Sequence, residues 1–454
     1  MAGAGYDLRS YLDYARSRGP EHFMVIPEKV PLDYTSTALT LELEKRGRNP
    51  ILLFENIDGY DIPVVSNLFA TREHAAWAVG SDEANLYARL GDAMDNLIPA
   101  RRVSRGAVQE VIREGDEVDL AQLPIARHFR QDAGAYVTAG MIAARDPDTG
   151  VGNLAYARLQ FQGPRRMGAS IHSRQHLWDY YRRAELAGKD LPVAVVIGAH
   201  PALMIAAASK MAIDVDEYDL AGALMGQSLD VCRAHSVDVD VPAHAEIVIE
   251  GHLLAQERGP EGPFGEYTGY ASSRSSNNVF QVSAITMRPD PIFVDIVPGN
   301  SSEHLLLGHI SYEAWVHKRL KEALPFFVDF HFPSSGIHFH CYIRIDKTAE
   351  GQAQQAAQLL FGLDPYTKLV VVVDKDIDPS NEHEVLWAIA THLQADRRVS
   401  ILSNTLVNRL DPSSADGLGA KMLLDATRPL KWEAARATLP DSAVELARRL
   451  LDGG

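Results

Sequence analysis

Two cysteines in 454 residues, Cys232 and Cys341, are too few and too far apart for a disulfide framework or a Cys-x-x-Cys metal site. They fit a reducing cytosol. Long apolar runs are also missing: runs such as 193–197 and 369–373 have strand length and cannot span a bilayer. Basic side chains are outnumbered, 44 Lys and Arg against 60 Asp and Glu, and the resulting net charge of −16 argues against nucleic-acid and anionic-membrane partners. The first residues, MAGAGYDLRSYLDYARSRG, carry charges where a signal peptide needs its apolar centre, so a cytoplasmic location is expected. No GxGxxG follows a strand pattern, and no GxxxxGK[ST] occurs, which leaves Rossmann and P-loop nucleotide sites without support.

What is present reads as a mixed α/β (α+β) chain, too long for one core. Helical periodicity covers 8–18, 36–45, 71–79 and 83–95, with a short apolar strand at 50–54, giving an N-terminal α/β layer up to about residue 104. The middle is strand-rich, with strands expected at 245–254 and 279–287 and a Gly/Pro/Ser/Asn-rich loop over 257–278. The last third alternates again: a strand at 336–345, a helix at 349–360, a Val-rich buried strand at 368–373, and a helix capped by Ser380 or Asn381. The tail, 432–451, is helical in pattern and interrupted at Pro440.

Four stretches carry candidate chemistry. The segment Glu261-Gly-Pro-Phe-Gly-Glu266 sets two carboxylates five residues apart on a backbone that Gly and Pro keep out of a helix. Carboxylates converging on one site can have their pKa values driven apart, leaving one as an acid; a solvated acidic turn has the same composition. Arg158 lies in the apolar pattern of NLAYAR (153–158), and a buried arginine needs a carboxylate, which Glu261 or Glu266 can supply. Asn153, His176 and Glu217 are ligand types that suit Mg or Mn, but they are scattered through the sequence, and by spacing alone the 214–217 acids read rather as a solvated cluster at a helix start and His176 as structural. Gly417-Leu-Gly419-Ala-Lys421 is a glycine-rich loop ending in a potential phosphate-binding lysine, while His338 and His340 alternate along a strand pattern and read as structural.

The order and spacing of NLAYAR, SRQHLW (173–178), DEYDLAGAL (216–224), VPAHAEIVIEG (241–251), EGPFGEYTGY (261–270), VVVDKDIDP (371–379) and GLGAKMLLDAT (417–427) resemble the UbiD family of decarboxylases. The resemblance implies three parts: an N-terminal α/β segment (1–105), a central split β-barrel that binds flavin (106–310), and a C-terminal α/β oligomerisation domain with a terminal helix (311–454). It implies reversible, non-oxidative decarboxylation of an unsaturated or aromatic acid that bonds covalently to prenylated FMN. Arg158 and Glu261 would orient the carboxylate, with Glu266 as proton donor. It also implies a Mn2+ or Mg2+ ion held by Asn153, His176 and Glu217 on the flavin phosphate, a K+ ion on nearby backbone carbonyls, and flavin contacts from Arg158, Gln175 and Lys421. The expected partners are a small carboxylic acid, CO2, a flavin prenyltransferase as cofactor supplier, and further copies of the chain. In that frame Asn300, Glu303 and His304 are candidates for the substrate pocket, and their polarity leans toward a pyrrole-, indole- or furan-type acid or a hydroxybenzoate, whereas the apolar Leu305, Leu306 and Leu307 suit a phenylpropenoic acid instead. A metal-dependent hydrolase using Asn153, His176 and Glu217 without flavin, or a non-catalytic oligomeric scaffold, are the competing readings.

Overall fold

The computed structural model describes residues 6–171, 176–415 and 417–452. Among these, the strands form four sheets. The N-terminal sheet joins Phe23–Val30, Ile51–Ile57, Val64–Ser66 and, from far along the chain, Phe293–Val294. A small sheet links Asp240–Pro242, Asp230–Arg233 and Arg101–Arg102. The C-terminal sheet runs Phe327–His331, His340–Ile345, Leu369–Asp374, Leu418–Asp425, Val399–Leu406. No helix among the described residues is long and apolar enough to cross a membrane.

The central sheet positions the site. Its order is Tyr136–Val137, Leu159–Phe161, Arg166–Ala169, Ser275–Met287, Ile247–Glu261, Leu191–Ile197, Met141–Arg145, Gly152–Tyr156, with Val111–Glu114 pairing onto Ser275–Met287. Gly152–Tyr156 ends this order, and Leu159–Phe161 stands one strand from its opposite end. Only Ala157 and Arg158 join those two strands, and such a link spans about 10 Å at most. The sheet must therefore curl until its ends nearly meet, which makes a half-barrel. Leu191–Ile197 sits in its middle with neighbours on both sides, and Val193, Val195, Val196 and Ile197 are fully buried. That accounts for an unbroken apolar run in place of alternation.

One apolar core joins the N-terminal segment (Leu8, Phe54, Trp77) to the central sheet (Val195, Ile249, Ile285). The C-terminal sheet has a separate core on each face, Val370 and Val372 on one and Val371 and Val373 on the other, as the two-residue period of a strand requires. The helix Ser302–Ala323 ties the two regions together, giving Leu307, Ile310 and Ala314 to the first core and Val316 and Leu320 to the C-terminal one.

Several expectations need correction. The loop expected over 257–278 is shorter, because pairing of Arg258 with Asn278 through Glu261 with Ser275 continues the hairpin past an irregularity after Leu253. The strand expected at 336–345 starts only at His340; Ser334–Gly336 is a 3-10 turn, and Ile337 and His338 have φ of 44° and 58°, outside any strand. His338 and His340 therefore do not share a strand face, and His338 stacks on His309 at 3.5 Å. The terminal helix covers Asp441–Asp452 alone, consistent with Pro440 turning the preceding residue toward extended backbone.

Candidate active site

Arg158 occupies the two-residue link that closes the half-barrel. The strand bearing Asn153 ends at Tyr156, so the alternation that would point Asn153 and Arg158 to opposite faces does not reach Arg158. Both residues line one cavity of about 480 Å³, together with the intervening Leu154–Ala157.

At the Arg158 part of the wall, the guanidinium donates from Nε to Glu261 Oε1 at 2.7 Å and from Nη2 to Glu261 Oε2 at 2.9 Å, a two-pronged pair. Its third nitrogen, Nη1, pairs with Glu266 Oε1. Phe264, between the two acids, places its ring 4.9 Å from the guanidinium carbon. Glu261 is fully buried at the end of its strand, where Asn277 Nδ2 also donates to it at 2.9 Å. Burial works against the charge on Arg158, but the hydrogen bond with Glu261 and the charges of Glu266 and Glu261 outweigh it and push the guanidinium pKa further up. Arg158, Phe264 and Glu266 face the cavity, whereas Glu261 grips Arg158 from behind.

The second cluster comes from three elements. Asp216 caps the helix Glu217–Met225 by accepting from Tyr218 N, which puts Glu217 at the first turn. Glu217 Oε2 accepts from Asn153 Nδ2 at 3.0 Å and from Leu154 N at 2.8 Å. His176, first residue of His176–Leu186, lines the same cavity, and burial lowers its pKa. Burial pushes Glu217 up to about 8, and its hydrogen-bond donors are an amide and a peptide N–H rather than a cationic side chain. Asn153 Oδ1 is buried with no hydrogen-bond partner among the described residues. An orphaned carbonyl oxygen, an imidazole and a carboxylate in need of positive charge form a donor set that fits Mg2+ or Mn2+.

The remaining predicted residues divide. His304 lines the cavity. Asn300 is exposed and outside the lining. Glu303 is wholly buried beneath the wall, accepting from the backbone of Asn67, Leu68 and Val297. Gln175 lies outside the described residues. Lys421 is not brought to the cavity: it points into the C-terminal region, and its ammonium donates to the carbonyls of Asp364, Pro365 and Thr367 at 3.2, 2.8 and 2.6 Å. Sequence reasoning missed Lys210 and Phe264 as lining residues and Asp132 as a support of the acidic loop. Phe264 stands between the two singled-out acids and was findable; Lys210 and Asp132 carry no local signal.

Three family models match: the N-terminal, Rift-related and C-terminal domains of 3-octaprenyl-4-hydroxybenzoate carboxy-lyase (UbiD), over residues 16–94, 101–301 and 305–426. The anhydromevalonate phosphate decarboxylase of Methanothermobacter thermautotrophicus is 33% identical over 93% of this chain and 97% of its own length. The UbiD-class enzyme HmfF of Pelotomaculum thermopropionicum, solved in complex with FMN, is 39% identical, with a TM-score of 0.92 over 98% of this chain and all of that one. The vanillic acid decarboxylase of Sedimentibacter hydroxybenzoicus, in its closed form, is 28% identical with a TM-score of 0.85, covering 99% of both chains.

Proposed function

The chain belongs to the UbiD family of carboxy-lyases, and from that premise we propose that it catalyses the reversible, non-oxidative decarboxylation of an aromatic, heteroaromatic or α,β-unsaturated acid. The observation that carries this reading is the Arg158–Glu261–Glu266 cluster on the cavity wall. Glu261 fixes the guanidinium plane, and Arg158 orients the substrate carboxylate. A third carboxylate beside one guanidinium brings uncompensated negative charge, so the substrate anion is best accepted together with a proton on Glu266. That proton then stands beside the bond to be broken, and Glu266 delivers it to the carbon that CO2 leaves.

Loss of CO2 from an sp2 carbon leaves electrons with nowhere to go, and prenylated FMN, when bound, supplies the sink. The residues that would hold its phosphate through Mn2+ or Mg2+ are Asn153, His176 and Glu217, with K+ beside them on backbone carbonyls. A flavin prenyltransferase would furnish the cofactor. Solved HmfF structures contain FMN and, in an evolved dimeric form, prFMN, which supports this assignment. A second substrate class, a phosphate-bearing unsaturated acid, draws support from the anhydromevalonate phosphate decarboxylase and from Lys210 on the cavity wall.

Self-association is part of the proposal. The cross-strand pairs Ile401 with Met422 and Leu406 with Leu418 leave apolar side chains exposed on the C-terminal sheet, and Leu446, Leu450 and Leu451 are exposed on the last helix.

The test compares Glu266→Gln with Glu217→Gln after co-expression with a flavin prenyltransferase. Glu266→Gln should keep its flavin absorbance and metal content yet lose turnover by at least about 100-fold. Glu217→Gln retains a hydrogen-bond acceptor but not the charge, and should purify depleted of both metal and flavin. Full activity in the first, or normal loading in the second, overturns the corresponding assignment.

A further inference from the structure

Glu266 sits in a small hairpin inside the acidic loop. Ser272 N donates to Phe264 O at 2.8 Å, Gly265 bridges to Ala271, and Glu266 N donates to Tyr270 O at 2.9 Å. The tip is 267–269, where Gly269 N donates back to Glu266 O at 2.9 Å and Gly269 takes the positive φ, 80°, that so tight a turn requires. Tyr267 opens that tip and is peptide-bonded to Glu266, so a shift of one carries the other. Its ring meets His304, His309 and Phe339 edge-on, at 6.2, 6.2 and 5.9 Å between centroids. Its hydroxyl pairs with the side chain of Asn408.

Asn408 belongs to another part of the fold, the loop between the strands Val399–Leu406 and Leu418–Asp425 of the C-terminal sheet. Its Oδ1 accepts from Leu410 N at 2.9 Å and its carbonyl from Asp411 N at 3.1 Å, so the loop itself fixes the amide. With Oδ1 turned to Leu410, the amide nitrogen faces Tyr267 and donates to the phenol oxygen. Burial, with the charge of Glu266 nearby, drives the phenol pKa up, so Tyr267 stays neutral. The bond crosses between two separate apolar cores and belongs to neither. None of the described cavity-lining residues comes from the C-terminal sheet, and neither Tyr267 nor Asn408 is among them. We infer that Tyr267 and Asn408 are a positioning pair for the proton-delivering acid. The C-terminal sheet grips the hairpin tip through this hydrogen bond and thereby sets the reach of Glu266 into the cavity. The inference rests on the decarboxylase reading and gives the C-terminal sheet a part in its proton transfer.

The experiment measures kcat and KM of flavin-loaded Tyr267→Phe, Asn408→Ser and the double variant on furan-2-carboxylate, pyrrole-2-carboxylate, 4-hydroxybenzoate and cinnamate. Serine at 408 can still accept from Leu410 N but is too short to reach Tyr267. Each single change should lower kcat about 10-fold with KM and flavin absorbance unchanged, because a displaced acid loses rate before affinity. The double variant should be no more than about twofold slower than the worse single, since either change breaks the same bond. Losses that multiply, a single variant at full rate, or a loss confined to KM or flavin overturn the pair. Hydrogen exchange gives a readout that needs no substrate. In either single variant the peptide amides of 266–270 should exchange at least about fivefold faster, with those of 193–197 unchanged. Unchanged exchange at the tip overturns the pair whatever the kinetics. If the wild type processes none of the four acids, that counts against the decarboxylase reading, and exchange alone decides the pair.

Discussion

Asp132 Oδ1 accepts the peptide N–H of Gly265 at 2.8 Å, one residue ahead of Glu266 and 133 positions away in sequence. The other carboxylate oxygen accepts from His128 N at 3.2 Å and Phe129 N at 2.7 Å, so a single buried side chain fastens the acidic loop to the segment just before the strand Tyr136–Val137. Ala133 N adds a bond to Pro263 O at 2.8 Å. The Phe129 ring fills the space on the far side: a Cβ on Gly265 would come within 2.3 Å of it, and one on Gly299 within 2.6 Å. Phe129 thus spaces the loop of Glu266 from Gly299, just ahead of the helix that carries His304.

Asp132→Ala should therefore act on catalysis at a distance. It strands three peptide N–H groups, costing about 2–3 kcal/mol of stability. By loosening Glu266 it should lower kcat about 10- to 100-fold with KM and flavin content little changed, since a displaced catalytic group loses rate before affinity. Asp132→Asn, which keeps one acceptor oxygen, should fall between. Steady-state kinetics alongside flavin absorbance decide it; a loss of flavin equal to the loss of rate would make the residue merely structural.

Glu303 gives a pH signature. Burial drives its carboxyl up to about 8 from an ordinary 4.5, even though three backbone N–H groups pull the other way. The folded protein then binds a proton that the unfolded chain releases between those values, so the stabilisation is whole below about pH 4.5 and declines as pH rises toward about 8. Urea unfolding should give a midpoint that falls from pH 5.5 to pH 8.0, and Glu303→Gln, which cannot ionise, should flatten that fall. A slope that persists in the variant would assign it to other groups. Because Glu303 holds the first turn of the helix that carries His304, the variant should also weaken substrate binding more than it slows turnover.

Much of this was readable beforehand. The Val-rich run 368–373 read as a buried strand because a strand in a sheet covered on both faces needs no polar face, and the structure places it there; 193–197, read only as strand-length, is a buried strand as well. That Arg158 meets Glu261 or Glu266 followed from the cost of burying an unpaired guanidinium, the set of all three came from the family resemblance, and the geometry shows them together. Other features are set by contacts distant in sequence. Glu303 and His304 are adjacent and both polar, yet the helix turns one onto the backbone of Asn67 and Leu68 and the other into the cavity. The 257–278 stretch looked like a loop because Gly and Pro mask a hairpin whose pairing is supplied by the partner strand. Asp132 was invisible for the same reason, since nothing near it in sequence reveals what lies across from it.

Lys421 is the sharpest case, because a lysine after a glycine-rich turn reads as a phosphate ligand. In the structure its ammonium closes the turn between the helix Gln352–Leu363 and the strand Leu369–Asp374, with one hydrogen for each of three carbonyls. Burial lowers its pKa to about 8, against the attraction of Asp364, and the aromatic face of Phe361 lies 5.1 Å away. Lys421→Met preserves the apolar stem but leaves those carbonyls without their donor, so it should cost about 2–4 kcal/mol. Thermal unfolding should show the loss, while flavin and metal content per folded protein stay at the wild-type level. The opposite pattern, unchanged stability with flavin lost, would mean that Lys421 leaves this turn for the cofactor phosphate during the catalytic cycle. The full hydrogen-bond complement of the ammonium in the described structure argues against that exchange.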